Sequence, residues 1–185
     1  MILVAIGSNL PGLEGAAPLD LCRAAVRALI ELPYIGFAAV SRWFETEPVP
    51  PSGQPNYING VVRLERRPDA AVTPESLLEA LHVIEARFGR VRAEPNAART
   101  LDLDLIDMDG ITRATPDPIL PHPRTHLRAF VLLPLLDVAP DWVHPGKRRT
   151  GRALLDAVDQ AGVRLFGASH GHEARHGHEA SHGHE

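Results

Sequence analysis

The chain opens on an unbroken apolar run, "ILVAI", which ends at Gly7 and predicts a buried strand. "AAPLDLCRAAVRALIEL" then spaces its apolar residues three and four apart until Pro33 stops it, the pattern of an amphipathic helix. "IGFAAVSRWFETE" and "YINGVVRLER" read as strands on either side of the loop "PVPPSGQPN". In "TPESLLEALHVIEARFG", Thr73 can cap a helix, Pro74 suits its first position, and Gly89 marks its stop. "RTLDLDLID", Arg99 to Asp107, follows as a further strand. The order β-α-β-β-α-β predicts a ferredoxin-like α+β sandwich, a mainly antiparallel sheet with helices packed over one face. The rest, rich in Pro and Arg, holds the apolar "FVLLPLLDVAP" and predicts a small helix near "GRALLDAV". No linker divides this span, so one domain over 1–167 is expected.

Composition narrows the classes. A chain of 185 residues is long enough to bury a substantial core. "MILVAIGSNL" has no basic leader, and no stretch approaches the roughly 20 apolar residues of a membrane helix. A cytoplasmic protein with no membrane partner is therefore expected. Cys22, the single cysteine, has no partner for an internal disulfide and reads as a small buried hydrophobe in a reducing compartment. Net charge is −4, which argues against a nucleic-acid partner and means that any anion must be held locally. Of the 19 basic residues outside histidine only Lys147 is lysine, and arginine suits bidentate contacts to phosphate. Residues 168–185 form a His-rich repeat set apart from the fold as a disordered tail: an added tag or a solvated extension, with loose metal binding as the other reading.

Within "RTLDLDLID", strand alternation puts Asp102 and Asp104 on one face and Leu101, Leu103 and Leu105 on the other. Their alpha carbons would lie about 6.6 Å apart, close enough for the carboxylates to hold neighbouring hard cations. The alternative is a half-exposed strand with polar residues outside, although Asp is depleted in strands. Asp107 and Asp109 beside Gly110 are explained by turn chemistry. Arg90, Arg92 and Arg99, with His122, Arg124, His126 and Arg128, flank this strand and could neutralise a phosphate. Glu85 could add a carboxylate or orient a ligand. There is no P-loop, no dinucleotide glycine motif, no Cys-x-x-Cys and no nucleophile elbow. Catalysis would then rest on metals, arginines and positioning, as phosphoryl transfer does. Tyr57 and Asn59, two apart behind a proline-rich loop, could stack on and hydrogen-bond a flat heterocycle. At this level a manganese-dependent nucleotide-sugar transferase and a metabolite-binding regulatory domain stay open.

The segments "AIGSNL", "QPNYIN", "IEARFGRVR", "RTLDLDLI" and "PHPRTHLRAFVLLPL" together resemble the 6-hydroxymethyl-7,8-dihydropterin pyrophosphokinases, over nearly all of residues 1 to 160. That family transfers pyrophosphate from ATP to a pterin alcohol on a ferredoxin-like fold. The resemblance implies two Mg2+ ions on Asp102 and Asp104. It implies phosphate contacts from Arg90, Arg92 and Arg99, contacts from His122 and Arg128 to the nucleotide or its transferred group, and Glu85 as an acid near the site on the ATP side. Thr46, Pro48 and Val49 would line a pterin pocket with Tyr57 and Asn59, and Phe130 would stack on the ring. A monomer using only small-molecule partners is expected. Three departures stand out: "AEPNAA" replaces a longer loop that often carries Trp, His82 stands where Gln is common, and Glu47 where Pro is common.

Overall fold

The computed structural model describes residues 1–91 and 97–167. β1 (Ile2–Ser8) is the central strand, and its alternation feeds two cores. Ile2, Val4 and Ile6 point to one side and Leu3 to the other, every one at most 1% exposed. α1 (Pro18–Ile30) begins with Pro at its first turn and buries Cys22, Ala25, Ala28 and Leu29 under the first face. α2 (Pro74–Arg87) joins it there. Its capping box is reciprocal, with Ser76 N donating to Thr73 Oγ1 at 3.2 Å and Thr73 N to Ser76 Oγ at 3.0 Å. Gly89, at φ +79°, closes the helix as expected.

β2 (Ile35–Val40), β3 (Phe44–Thr46), β4 (Tyr57–Arg66), β5 (Asp102–Met108) and β8 (Val163–Leu165) complete the main sheet. Its order is β5-β1-β4-β3-β8, with β2 also on β4, and every neighbouring pair runs antiparallel. This is the expected ferredoxin-like arrangement. "IGFAAVSRWFETE" is two strands rather than one. At the break, Ser41 Oγ accepts from Val61 N at 2.9 Å, and Trp43 lies against Gly60, where a side chain would meet the indole at 2.6 Å.

The second face is also covered, beyond the one-sided packing the order implied. α3 (Ala129–Val138) and α4 (Gly151–Leu155) pack Val131, Leu132, Leu135, Leu154 and Leu155 against Leu3, Val61 and Ile106. β6 (Val143–His144) and β7 (Arg149–Thr150) form a small hairpin between those helices. A bulge at Ile106 turns Asp107 toward this core. Asp107 Oδ1 makes the expected turn contact with Gly110 N at 2.9 Å, while Oδ2 accepts from Trp142 Nε1 at 2.7 Å. Cys22 is buried as expected, and burial pushes its thiol up to about 12.

Where the hairpin meets the turn at Thr125–Leu127, the His126 and His144 rings stack edge to face at 5.6 Å. Burial, then the Lys147 charge, lowers the His126 imidazole; burial, then His126, lowers His144. The folded state therefore binds these protons less readily than the unfolded chain does. Stability should be full above the ordinary histidine value of about 6.5 and fall as pH drops below it. Thermal unfolding between neutral and mildly acidic pH checks this. His144→Phe should flatten the profile, and an equally steep profile would contradict it.

Candidate active site

β5 carries the acidic pair, and its register fixes what the pair faces. Asp104 lies across from Ala5 and Asp102 across from Gly7 on β1, while Leu103 and Leu105 enter the core under α1 and α2. The absence of a side chain at Gly7 keeps this face open: a Cβ there would stand 3.2 Å from Asn59 Oδ1 and 3.9 Å from Asp102 Cβ. The expected sharing of a face is thus realised in two small neighbours on the central strand.

Asp102 is held by both flanking arginines. Arg90 Nη1 donates to Oδ1 at 2.5 Å and Arg99 Nη1 to Oδ2 at 2.8 Å. Arg90 also donates to Glu85, a 2%-exposed residue of α2 whose Oε1 accepts from Leu103 N at 2.8 Å. One helical carboxylate therefore pins both the residue between the two aspartates and the arginine beside them. Among the described side chains none makes an ion pair with Asp104. Burial, then the Asp102 charge, pushes its carboxyl above the ordinary aspartate range, with His122, Arg128 and Arg99 opposing. Burial lowers His122, against the pull of Asp104.

Two cavities meet at this strand. The larger, about 600 Å3, brings Asp102, Asp104, Arg90 and Arg99 together with Thr46, Pro48, Val49, Tyr57, Asn59 and Phe130. Asn59 Nδ2 donates to Thr46 Oγ1 at 2.7 Å, fixing two polar groups of its wall. Arg128, expected at the nucleotide or its transferred group, lines this cavity beside Asp102 and Asp104, its guanidinium 5.4 Å from the Phe130 ring centre. Glu47 and Arg124 also line it. The smaller cavity, about 360 Å3, is lined by Glu85, His82 and His122 and by apolar Leu78, Leu105 and Ile119. Arg92 lies outside the described residues, as do positions 93–96 of the short loop and the tail 168–185.

Asn9 was given no role by sequence reasoning, yet it joins the two sides of the larger cavity. Its Oδ1 accepts from Arg99 N at 2.9 Å, and its Nδ2 donates to Pro55 O at 3.2 Å and Gln54 Oε1 at 3.3 Å. Gln54 Oε1 in turn accepts from Tyr57 Oη at 3.3 Å. The only signal was a polar, hydrogen-bonding residue directly after a buried strand, within "AIGSNL".

Carboxylates and arginines at the junction of two cavities, on this sheet, define a two-substrate transferase of polyphosphate chemistry. Residues 3–140 match the 7,8-dihydro-6-hydroxymethylpterin-pyrophosphokinase family. The chain belongs to that family. It is 38% identical to the Pseudomonas aeruginosa 2-amino-4-hydroxy-6-hydroxymethyldihydropteridine pyrophosphokinase, over 90% of this chain and 98% of that one. Its likeness to the Synechocystis enzyme of the same name is 35% over 85% of this chain and 74% of the relative. Among solved structures, wild-type Plasmodium falciparum HPPK-DHPS superposes with a TM-score of 0.61 at 14% identity, covering 84% of this chain and 44% of that one, a likeness of fold.

Proposed function

We propose that the larger cavity seats the pterin and the smaller one the nucleotide, with the Asp102 and Asp104 face as the point of transfer. The chain is a pyrophosphokinase of folate biosynthesis, moving pyrophosphate from ATP to 6-hydroxymethyl-7,8-dihydropterin. The observation that carries the assignment of the cavities is that Arg90 and Asp104 line both. A reaction between two ligands needs such a shared wall. The larger cavity offers an aromatic ring, Phe130, and the fixed Asn59 and Thr46 pair, which suit a flat heterocycle with polar edges. Leu78, Leu105 and Ile119 suit the face of a purine.

The donor set fits magnesium. Two carboxylates share one face, and Asp104 makes no ion pair among the described side chains; Mg2+ commonly binds one or two carboxylates and completes its shell with water and substrate phosphates. Asp102 and Asp104 would hold two Mg2+ ions, which supply charge neutralisation on the phosphates. The pterin hydroxymethyl oxygen attacks the β phosphorus, the bond from that phosphorus to the α–β bridging oxygen breaks, and AMP leaves. The hydroxyl proton is released to solvent, since a loose transition state places little demand on a base. Arg99 and Arg90 neutralise charge on the transferring group, with Arg92 as a third contact. His122 and Glu85 border the nucleotide, and Arg128 reaches the transferred group from the pterin side.

Residues 1–167 form the catalytic unit, and we read it as a cytoplasmic monomer without a nucleic-acid partner. The net charge of −4 and the buried, unpaired Cys22 support that reading. Among the described residues no helix is long and apolar enough to cross a membrane.

The cavity assignment is tested by Asn59→Ala. Loss of its hydrogen bonds should raise KM for the pterin about tenfold and leave KM for ATP unchanged in steady-state assays. A rise confined to ATP would reverse the assignment.

A further inference from the structure

Arg113 lies outside both cavities and was singled out by no motif. Its guanidinium nevertheless organises one wall of the smaller cavity. Nε donates to Pro118 O at 2.9 Å, and Nη2 to Pro116 O and Asp117 O, each at 2.7 Å. The backbone closes the same loop at its base: Arg113 N donates to Leu120 O at 2.8 Å and Leu120 N to Arg113 O at 3.0 Å. Asp117, Pro118 and Ile119, the outer part of that loop, line the smaller cavity.

The remaining donor reaches the opposite wall. Arg113 Nη1 donates to Glu75 Oε1 at 2.6 Å, and Glu75 sits in the first turn of α2. Glu75, Leu78 and His82 are spaced three and four residues apart, so they follow one face of that helix. Leu78 and His82 line the cavity across from the loop. A single side chain thus brackets both walls, and at 17% exposure it is largely enclosed while Glu75 is 48% exposed.

We propose that Arg113 is a positioning residue for the nucleotide, setting the width of the smaller cavity without touching ATP; this rests on reading that cavity as the nucleotide seat. The chemistry requires arginine. Three carbonyls turned toward one point need several donors spread over a plane, together with a charge for the carboxylate. Lysine concentrates its three donors on one nitrogen and cannot span the set. Pro116 and Asp117 are exposed, so without the guanidinium their carbonyls turn to water, while the carbonyl of the buried Pro118 loses its side-chain donor; none of the three belongs to either core, so the cores stay packed. What is lost is the fixed wall.

The test uses the full chain with Arg113→Lys and Arg113→Ala, measuring kcat and both KM values beside thermal unfolding. KM for ATP should rise about tenfold in both, with pterin KM and kcat at saturating ATP little changed. Glu75→Gln, which leaves the loop carbonyls paired, should give a smaller rise in the same direction. If Arg113→Ala does not stay folded, Arg113→Lys carries the test. An unchanged KM for ATP, or an equal rise for both substrates, overturns the proposal. Ile119→Trp separates the two layers of the argument by filling the smaller cavity directly. If it raises KM for ATP while the Arg113 variants do not, only the positioning role fails. If it leaves KM for ATP unchanged, the nucleotide reading falls and the proposal with it.

Discussion

Asp104→Asn is expected to lower kcat about a thousandfold, the order of loss seen when one charge-stabilising group is removed from a reacting site, while the protein becomes no less stable. The two halves of this result come from the same geometry. Asp104 shares its strand face with Asp102 and makes no ion pair among the described side chains, while burial and its neighbour push its carboxyl upward against the pull of His122, Arg128 and Arg99. An acid whose folded value lies above its unfolded value costs the fold stability at neutral pH, because the unfolded chain holds the charge more cheaply. Asparagine removes that cost together with the metal ligand. Asp102→Asn should differ, because Arg90 and Arg99 both close on Asp102 and would lose their common anchor. Its turnover should fall as far and its unfolding midpoint should drop. Steady-state rates beside thermal unfolding separate the two variants. Near-normal turnover in Asp104→Asn would remove the acidic pair from the chemistry.

Glu85→Ala carries the second large effect, this time on stability and activity together. The carboxylate is 2% exposed, accepts from Leu103 N and pairs with Arg90. Truncation leaves a buried N–H unpaired and takes from Arg90 one of its two carboxylates, which should cost about 3 kcal/mol of stability. Turnover should also fall about a hundredfold, because β5 is pinned at Leu103, between the two aspartates, and Arg90 is aimed by the same oxygen. Glu85→Gln keeps an acceptor for Leu103 N and should lose less stability. Urea unfolding measures the first effect and single-turnover rates the second. A Glu85→Ala variant within about 0.5 kcal/mol of the parent would show that the buried pair does not hold the strand.

What could be read from the sequence was whatever depends on short-range periodicity. The alternation in "LDLDL" put both aspartates on one face because a strand repeats every two residues. Thr73, Pro74 and Gly89 delimited α2 because caps are local chemistry. The site residues that the resemblance implied border one of the two cavities wherever they are described, whereas His126, named only for its place near the acidic strand, packs on His144 and borders neither. α3 could not be read from periodicity. "AFVLLPLLDV" is apolar on nearly all sides and carries Pro134 inside, so it offers no 3.6-residue stripe. The break between β2 and β3 depends on Ser41 and Trp43 meeting β4, a long-range event. Asn9, Arg113 and the contact of Asp107 with Trp142 were unread for the same reason, since each depends on partners distant in sequence or on backbone carbonyls that leave no trace in residue type.

The central claim is tested most directly by incubating the protein with ATP, magnesium and 6-hydroxymethyl-7,8-dihydropterin and resolving the nucleotides by anion exchange. The account predicts AMP appearing in step with a pyrophosphorylated pterin, both abolished by Asp104→Asn. ADP formed in place of AMP would contradict it, because a single phosphoryl group would then be the one transferred.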